Sequence, residues 1–286
     1  MAFIFKKIQY FRNVEVSFFY DSNREKSVEA VNLFLTYFDK AKKLNSFDQL
    51  TSLKNQTLFV FGGDGTFHKV VNCIDFSNRL VLVPSGSGND FVRNFQALAP
   101  CELPDALEKN KMHRIGLIKL NDIYGLNAAG FFYDAMVAKT ANESNKKWGS
   151  MVYTLAALKH IFTYCTHRVL LNDVPRKLLM LSFGNGEYAG GGFKLFPGTK
   201  PTEFSFMRLQ IGSIHILKRL AYLILVMFGK HHSLANVDLS VTTQTNVRSE
   251  TKLMAEVDGE IYQFGNQVNV SYEPDCLSIL VASPKD

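Results

Sequence analysis

The residues "VFGGDGTFHKVVNCI" at 60–74, followed by "VPSGSGNDFVRNF" at 83–95, decide the fold. Each is an apolar, strand-like run that breaks into glycines and an aspartate and then resumes with helical spacing. Residues 57–61 and 80–83 are continuous apolar runs, as expected of strands buried on both faces. A short helix over 66–73 lies between them. Strands alternating with helices imply a parallel sheet with crossovers, an α/β domain.

Upstream, "VEVSFFY" at 14–20 reads as a first strand, and "SNRE" offers a capping box with Ser22 at the cap and Glu25 three residues on. Val28, Val31, Leu35 and Phe38 then predict a helix over about 24–43. Residues 44–55 are polar and without pattern. Beyond about residue 115 the pattern changes to short strand candidates separated by turn residues, at 117–120, 124–127, 178–183, 207–211, 237–243, 253–257, 260–264, 268–272 and 277–281. That predicts an antiparallel β-sandwich. Two helices interrupt it. One covers 146–165, with Trp148, Met151, Val152, Leu155, Leu158, Phe162 and Cys165 on one stripe. The other covers 216–228 and is apolar nearly all round except Lys218, Arg219 and Tyr222. It reads as core packing, with an acyl-chain groove wall or an interfacial patch, Lys218 and Arg219 facing lipid head groups, as the alternative. His231 and His232 read as surface residues at its end.

The two glycine loops carry the chemistry. In an open α/β sheet, ligands bind outside the carboxyl ends of the strands. Glycines there let the backbone approach a ligand, successive N–H groups can form an anion-binding nest, and a helix start adds partial positive charge. Asp64 among such amides would repel a phosphate unless a divalent cation or a proton donor lies between them, which points to Mg²⁺-assisted phosphoryl chemistry. The second loop supplies Gly86, Gly88, the hydroxyls of Ser85 and Ser87, and Asp90. Adjacent parallel strands would bring both loops to one sheet edge as two walls of a nucleotide pocket, with Asp64 and Asp90 converging. "VDGEIY" is also a hairpin signal, since Asp-Gly between alternating apolar residues fits a two-residue turn.

Composition bounds the alternatives. The chain has 286 residues, 47% hydrophobic and 20% charged, which suits two globular domains rather than a disordered protein. A net charge of +6 suits an anionic partner: a nucleotide, an anionic membrane surface or a nucleic acid. Lys6, Lys7, Lys40, Lys42, Lys43, Lys146 and Lys147 are scattered with no basic-aromatic array, so nucleic acid is not expected. Cys73, Cys101, Cys165 and Cys276 lack metal-ligand spacing and read as buried or incidental thiols in a reducing compartment. No signal-peptide pattern is read, and the longest apolar run, 220–228, is too short to span a bilayer; a cytoplasmic location, peripheral at the membrane, is expected.

"GGDGT" followed by "PSGSGNDFVR" resembles the diacylglycerol kinase catalytic family of lipid kinases, particularly its soluble bacterial members. "AGFFYDA" at 129–135, "GNGEYAGGGFKLFP" at 184–197, "FGKHH" at 228–232 and "VDGE" at 257–260 stand in the family's order, so the similarity spans nearly the whole chain. "GGDGT" alone is shared with NAD kinases; "GNDF-x-R" with a distal "GGG" and "DGE" is more specific. Sphingosine and ceramide kinases usually lack the aspartate equivalent to Asp90. The resemblance implies an ATP- and Mg²⁺-dependent kinase of a diacylglycerol-like lipid at the membrane surface. It implies an α/β nucleotide-binding domain over 1–115 and an antiparallel β-sandwich lipid-substrate domain over 116–286, with the active site in the cleft between them and the last strand a candidate to return to the first domain. By the same resemblance, Gly62, Gly63, Asp64, Gly65, Thr66, Phe67 and His68 line the nucleotide phosphates together with Gly86, Ser87, Gly88, Asn89 and Asp90. Ser87 takes the place of a nucleotide-touching threonine. Glu260 matches the general base beside Asp258, with Asp64 also catalytic. Lys200, Glu203 and Ser205 match a Mg²⁺ site away from the chemistry, built from one carboxylate and two carbonyls.

The departures bear on activity. The family's Asn-Pro-x-Ser-Gly turn reads "YDSNRE", and the stretch before "GGDGT" is short enough that a strand–helix unit is a candidate for loss. Lys69 and Arg114 replace family acids, and "DDG" reads "TEF". Arg114 is expected near the pocket, pairing with Asp64 or Asp90 or holding phosphate. Two other readings stand beside a lipid kinase: a nucleotide- or lipid-binding family member with weak or no turnover, and a kinase of a soluble metabolite such as NAD.

Overall fold

The computed structural model describes residues 16–20, 25–38, 40–144 and 151–284. Val14, Ser22, Trp148 and the lysines at 6, 7, 146 and 147 lie outside the described residues. The chain forms two compact units. One runs to Ile115 and resumes at Asp275, and the other is Gly116–Pro274.

The first unit holds strands β1 (Val16–Tyr20), β2 (Lys42–Lys43), β3 (Thr57–Gly62) and β4 (Arg79–Pro84), and helices α1 (Glu25–Leu35), α2 (Phe47–Thr51), α3 (Asp64–Val71) and α4 (Leu103–Glu108). Its sheet runs β2, β1, β3, β4 and then the C-terminal part of the last strand, Gln267–Val281, with every pairing parallel. All six residues of β3 are buried, which is why its apolar run does not alternate. Phe34 of α1 packs its ring 4.3 Å from Phe59 and 5.3 Å from Phe61, so aromatic area holds this helix on the sheet.

The helix expected over 24–43 ends at Leu35 instead. Tyr37 and Ala41 donate to carbonyls three residues back, so the chain continues in turns, and Phe38 is buried by stacking on Phe34 at 4.6 Å. The apolar spacing marked burial rather than helix. Lys42–Lys43 then pairs with Ser17 and Phe18, and the patternless stretch 44–55 contains α2. The stretch before "GGDGT" thus holds a two-residue strand and a five-residue helix. Helix α3 starts at Asp64, two residues before the expected 66.

The second unit is antiparallel and β-rich. After the strand His113–Leu120 (β5) come β6 (Ile123–Gly125), β7 (Ala128–Phe132), β8 (His167–Leu171), β9 (Val174–Gly184), β10 (Phe206–Gly212), β11 (Val237–Thr242), β12 (Gln244–Arg248), β13 (Met254–Val257), β14 (Glu260–Gln263) and β15 (Gln267–Val281). Its main path runs β14, β13, β7, β9, β8, β12, β15, while β10 joins β9 to β11. Helices α5 (Tyr133–Glu143), α6 (Met151–His160) and α7 (Arg219–Met227) complete it. Strands β7, β8 and β12 and helix α5 were not legible in the sequence, and the candidates at 268–272 and 277–281 are one fifteen-residue strand.

On α6 the buried residues are Val152, Ala156 and Ala157, whereas Met151, Leu155, Leu158 and Phe162 of the predicted stripe are exposed. Three expectations are corrected in this unit. Only Leu223 and Val226 of α7 are buried, so that helix is not core all round. Arg219, expected to face head groups, instead donates to the carbonyls of Ile161, Tyr164 and Ile214. His231 is fully buried with its ring Nε2 3.1 Å from the carbonyl of Leu195, and burial holds its pKa down. Among the described residues no helix is long and apolar enough to cross a membrane. All four cysteines are free thiols, and Cys101 and Cys165 are exposed rather than buried.

Candidate functional site

In the first unit, β3 and β4 pair in parallel with Gly62 opposite Pro84, so both glycine loops leave the sheet at neighbouring carboxyl ends. The amide of Ser85 donates to the carbonyl of Gly62 at 2.7 Å. The loops then meet backbone to backbone. A Cβ on Gly86 would lie 2.5 Å from the Cα of Gly63, and one on Gly63 would lie 2.9 Å from the Cα of Gly86. Only glycine at both positions permits this approach.

The Asp64 carboxylate seals the junction. Its Oδ2 accepts the N–H of Asp90 at 3.1 Å and its Oδ1 accepts the N–H of Phe91 at 3.2 Å. Asn89 adopts φ 55° and holds the second loop closed, accepting the Gly86 N–H at 3.1 Å and donating to the Gly86 carbonyl at 2.8 Å. Asp90 is buried and lies 3.4 Å from Arg93. Gly63 caps α3 in an extended conformation, so Asp64, Gly65 and Thr66 form the first helical turn. The N–H of Thr66 donates to the Gly63 carbonyl at 2.9 Å. Ser87 is exposed at the loop tip. Phe67 and His68 are 0% and 1% exposed, so they pack beneath the loop rather than facing a ligand.

Arg114 is not at this loop pair. Its Nε donates to Oδ1 of Asp275 at 2.8 Å, its Nη1 to Ser278 Oγ at 3.0 Å and its Nη2 to the Asp275 carbonyl. The expected pairing with Asp64 or Asp90 gives way to a clip on β15.

In the second unit, Val257 pairs with Glu260 across a two-residue turn in which Asp258 and Gly259 have φ 51° and 87°. This is the type I′ hairpin that Asp-Gly favours. Asp258 anchors the turn. Its carboxylate accepts the N–H groups of Leu126, Asn127 and Ala128 at 2.7–3.0 Å, and its own N–H donates to the carbonyl of Ala128. Asn142 donates to the Gly259 carbonyl at 2.7 Å. Glu260 is half-buried at the start of β14.

A buried polar row beneath the hairpin went unread in the sequence. Glu256, Gly130 and Ser182 stand opposite one another across β13, β7 and β9. Asp134 sits over Gly130, where any Cβ would lie 2.0 Å from its Oδ2, and it accepts the Ser182 hydroxyl at 2.5 Å. Glu256 accepts the Gly259 N–H at 2.8 Å. The protein packed around its carboxyl pushes Asp134 up to about 6. Burial, and then the neighbouring Asp134 charge, hold Glu256 well above the usual carboxylate range. The signal available was an acid one residue before "VDGE" in an otherwise apolar strand.

The residues of the expected Mg²⁺ set, Lys200, Glu203 and Ser205, lie in the turns just before β10. The Lys200 carbonyl accepts the Glu203 N–H at 3.0 Å within a turn, the Glu203 carbonyl accepts the Tyr272 hydroxyl, and the Glu203 side chain is exposed. Among the described residues no three His, Cys, Asp or Glu side chains come together as metal ligands. A separate concavity of about 610 Å³ is lined by Arg168, Arg176, Lys177, Arg248 and Glu250, and it holds none of the expected site residues.

Comparison with known proteins places this geometry. The diacylglycerol kinase catalytic domain matches residues 21–120, and the YegS C-terminal NAD kinase beta sandwich-like domain matches 127–281. The chain is 29% identical over 232 residues to "Putative lipid kinase YtlR" of Bacillus subtilis, covering 73% of this chain and 75% of that one. In fold it is similar to a "putative diacylglycerol kinase" from Bacillus anthracis, with a TM-score of 0.74, 16% identity and coverage of 93% and 94%. An NAD kinase from Archaeoglobus fulgidus in complex with ATP follows at a TM-score of 0.57, 14% identity and 93% coverage of each chain. The paired glycine loops and the Asp-Gly-Glu hairpin thus stand within matched domains, and the chain belongs to the diacylglycerol kinase catalytic family of lipid kinases, in its branch with a YegS-type C-terminal domain.

Proposed function

We propose that this kinase transfers the γ-phosphoryl group of ATP to the hydroxyl of a diacylglycerol-like lipid. The observation that carries the reading is the junction of the two glycine loops, Gly63 against Gly86 with Asp64 bonded to the amides of Asp90 and Phe91. That junction forms a backbone cradle at the carboxyl ends of β3 and β4, where phosphate oxygens find N–H groups and no obstructing side chain. The ATP bound to the structurally similar NAD kinase supports a nucleotide here. The relative's printed name supports a lipid acceptor.

In this reading Gly62, Gly63, Gly65, Thr66, Gly86, Gly88 and Asn89 line the phosphates, with Ser87 offering its hydroxyl. Phe67 and His68 support the loop from below. Asp64 keeps the two loops joined, and Asp90 lies beneath them. Glu260 accepts the proton from the lipid hydroxyl as its oxygen bonds to the γ-phosphorus and ADP leaves. Asp258 acts by fixing the turn that presents Glu260. Mg²⁺ enters as part of the nucleotide substrate, and no step is routed through Lys200, Glu203 and Ser205. The test is transfer of radiolabelled phosphate from ATP to a panel of lipids in detergent micelles. Labelling of diacylglycerol is expected; labelling of none of the lipids, with nucleotide binding retained, would favour a binding protein instead.

A further inference from the structure

Exposed apolar surface is concentrated on two helices of the second unit. Among the described residues thirteen large hydrophobic side chains are exposed, and nine of them lie on α6, α7 or the turns beside them. Such clustering marks an interaction surface, where scattered single residues would not. On α6 and its extension, Met151, Leu155, Leu158 and Phe162 form one helical stripe. On α7 and the turn before it, Ile216, Leu220, Ile224 and Phe228 repeat every four residues, beside Leu217 at 81% exposure.

The two stripes belong to helices that share one core. Val152, Ala156 and Ala157 of α6 and Leu223 and Val226 of α7 bury into the same core, so both outer stripes point away from it. Arg219 ties the ends together, its Nη1 donating to Ile161 O at 3.0 Å and Tyr164 O at 2.7 Å and its Nε to Ile214 O at 3.3 Å. Ile161 and Tyr164 follow the last turn of α6, and Ile214 precedes the turn that leads into α7.

Charge selects the occupant. Neither 151–165 nor 215–232 contains an Asp or Glu, whereas Lys159, Lys218 and Lys230 are exposed among the apolar residues. We propose that this two-helix face docks on the surface of an anionic lipid bilayer, with the stripes at the acyl boundary and the lysines at the phosphates. With no described helix able to cross a membrane, the contact is peripheral. The inference deepens the lipid-kinase reading and rests on it for its purpose.

The test is sedimentation of the full chain, without ATP, with vesicles of phosphatidylcholine alone or with added phosphatidylglycerol. Binding to the anionic vesicles is expected, weakening with salt. Leu217→Asp and Phe228→Asp should each lower the partition constant by about tenfold or more, since each withdraws a large apolar side chain from the interface. Lys159→Gln, Lys218→Gln and Lys230→Gln should each lower it by about fivefold, on anionic vesicles only. All five side chains are exposed, so the variants should fold, which circular dichroism checks. The proposal is overturned by absence of binding, by equal binding to both vesicle types, or by apolar variants that bind as before. It is also overturned by a lipid-free dimer that Leu217→Asp dissolves, which would give the face to a second copy. Transfer from ATP to a short-chain, water-soluble diacylglycerol separates the two claims. If it proceeds while vesicle binding is absent, only the docking face is lost. If it is absent while vesicle binding stands, only the kinase reading is lost.

Discussion

The Asp64 carboxylate accepts the backbone N–H of Asp90 at 3.1 Å, although the two residues belong to different loops after different strands. The phosphate-binding candidates are thus joined by an acid in the first loop and two amides in the second. Asp64→Asn leaves one acceptor oxygen and turns an amide donor toward an N–H. Turnover should fall by about 10²-fold or more, with a stability loss of about 1–3 kcal/mol in urea unfolding. Wild-type turnover in this variant would remove the junction from the mechanism.

The close approach of Gly63 and Gly86 gives a second expectation. Gly86→Ala places a Cβ 2.5 Å from the backbone of the facing loop, which must move. ATP-analogue affinity should drop by about tenfold or more, whereas Gly265→Ala, with nothing within 4 Å, should bind as wild type. Equal affinities in the two variants, by calorimetry, would argue against a nucleotide at the loops.

Glu260→Gln tests the proton acceptor. Under the proposed function kcat should fall by about 10²–10⁴-fold with nucleotide affinity nearly unchanged. A change confined to KM for ATP would place Glu260 in binding.

Arg114 engages Asp275 and Ser278, and the arginine and aspartate side chains are about half exposed. Arg114→Asp should therefore leave ATP affinity and the Mg²⁺ dependence of turnover unchanged and alter stability by about 1 kcal/mol or less. Raised activity at low Mg²⁺ would show that the arginine acts at the metal instead.

The row under the hairpin makes stability depend on pH. The folded value of Asp134, about 6, lies above its ordinary 3.8, because the surrounding protein disfavours the charged form. Its contribution is fully present below 3.8 and is lost as pH rises through about 6, where the unfolded chain has already released the proton. Glu256, raised for the same reason, acts with the same sign. Urea unfolding should show stability falling between about pH 4 and 7, and Asp134→Asn should flatten that slope. An unchanged slope would mean that Asp134 titrates alike in both states.

Strands β3 and β4 were legible because fully buried strands leave unbroken apolar runs, and the Asp-Gly turn because its backbone geometry selects those residues. Strand β7 and helix α5 were not, since "AAGFFYDA" runs from one into the other without a polar break. The stripe on α6 was legible, but which of its residues are buried was not. Periodicity reports which side chains share a face, and small Ala156 and Ala157 mark the buried side less visibly than Leu155 or Phe162. In the candidate site, the loop glycines and Asp64 were visible as a motif. The polar row was not, because it is assembled from one residue on each of three strands. Its fourth member, Asp134, was seen only as part of a motif. Phe67 and His68 belonged to the motif, yet half of any helical motif faces the core.

The two-residue strand before "GGDGT" bears on how the parallel sheet meets other chains. In the described strand order it ends at β2, which has only two residues, both exposed lysines. A long, flat outer strand offers a template for a foreign strand to extend. Here an incoming strand would find two residues to pair with and two ammonium groups beside its backbone. The short outer strand thereby gives the described sheet a blunt, cationic border that disfavours edge-to-edge pairing.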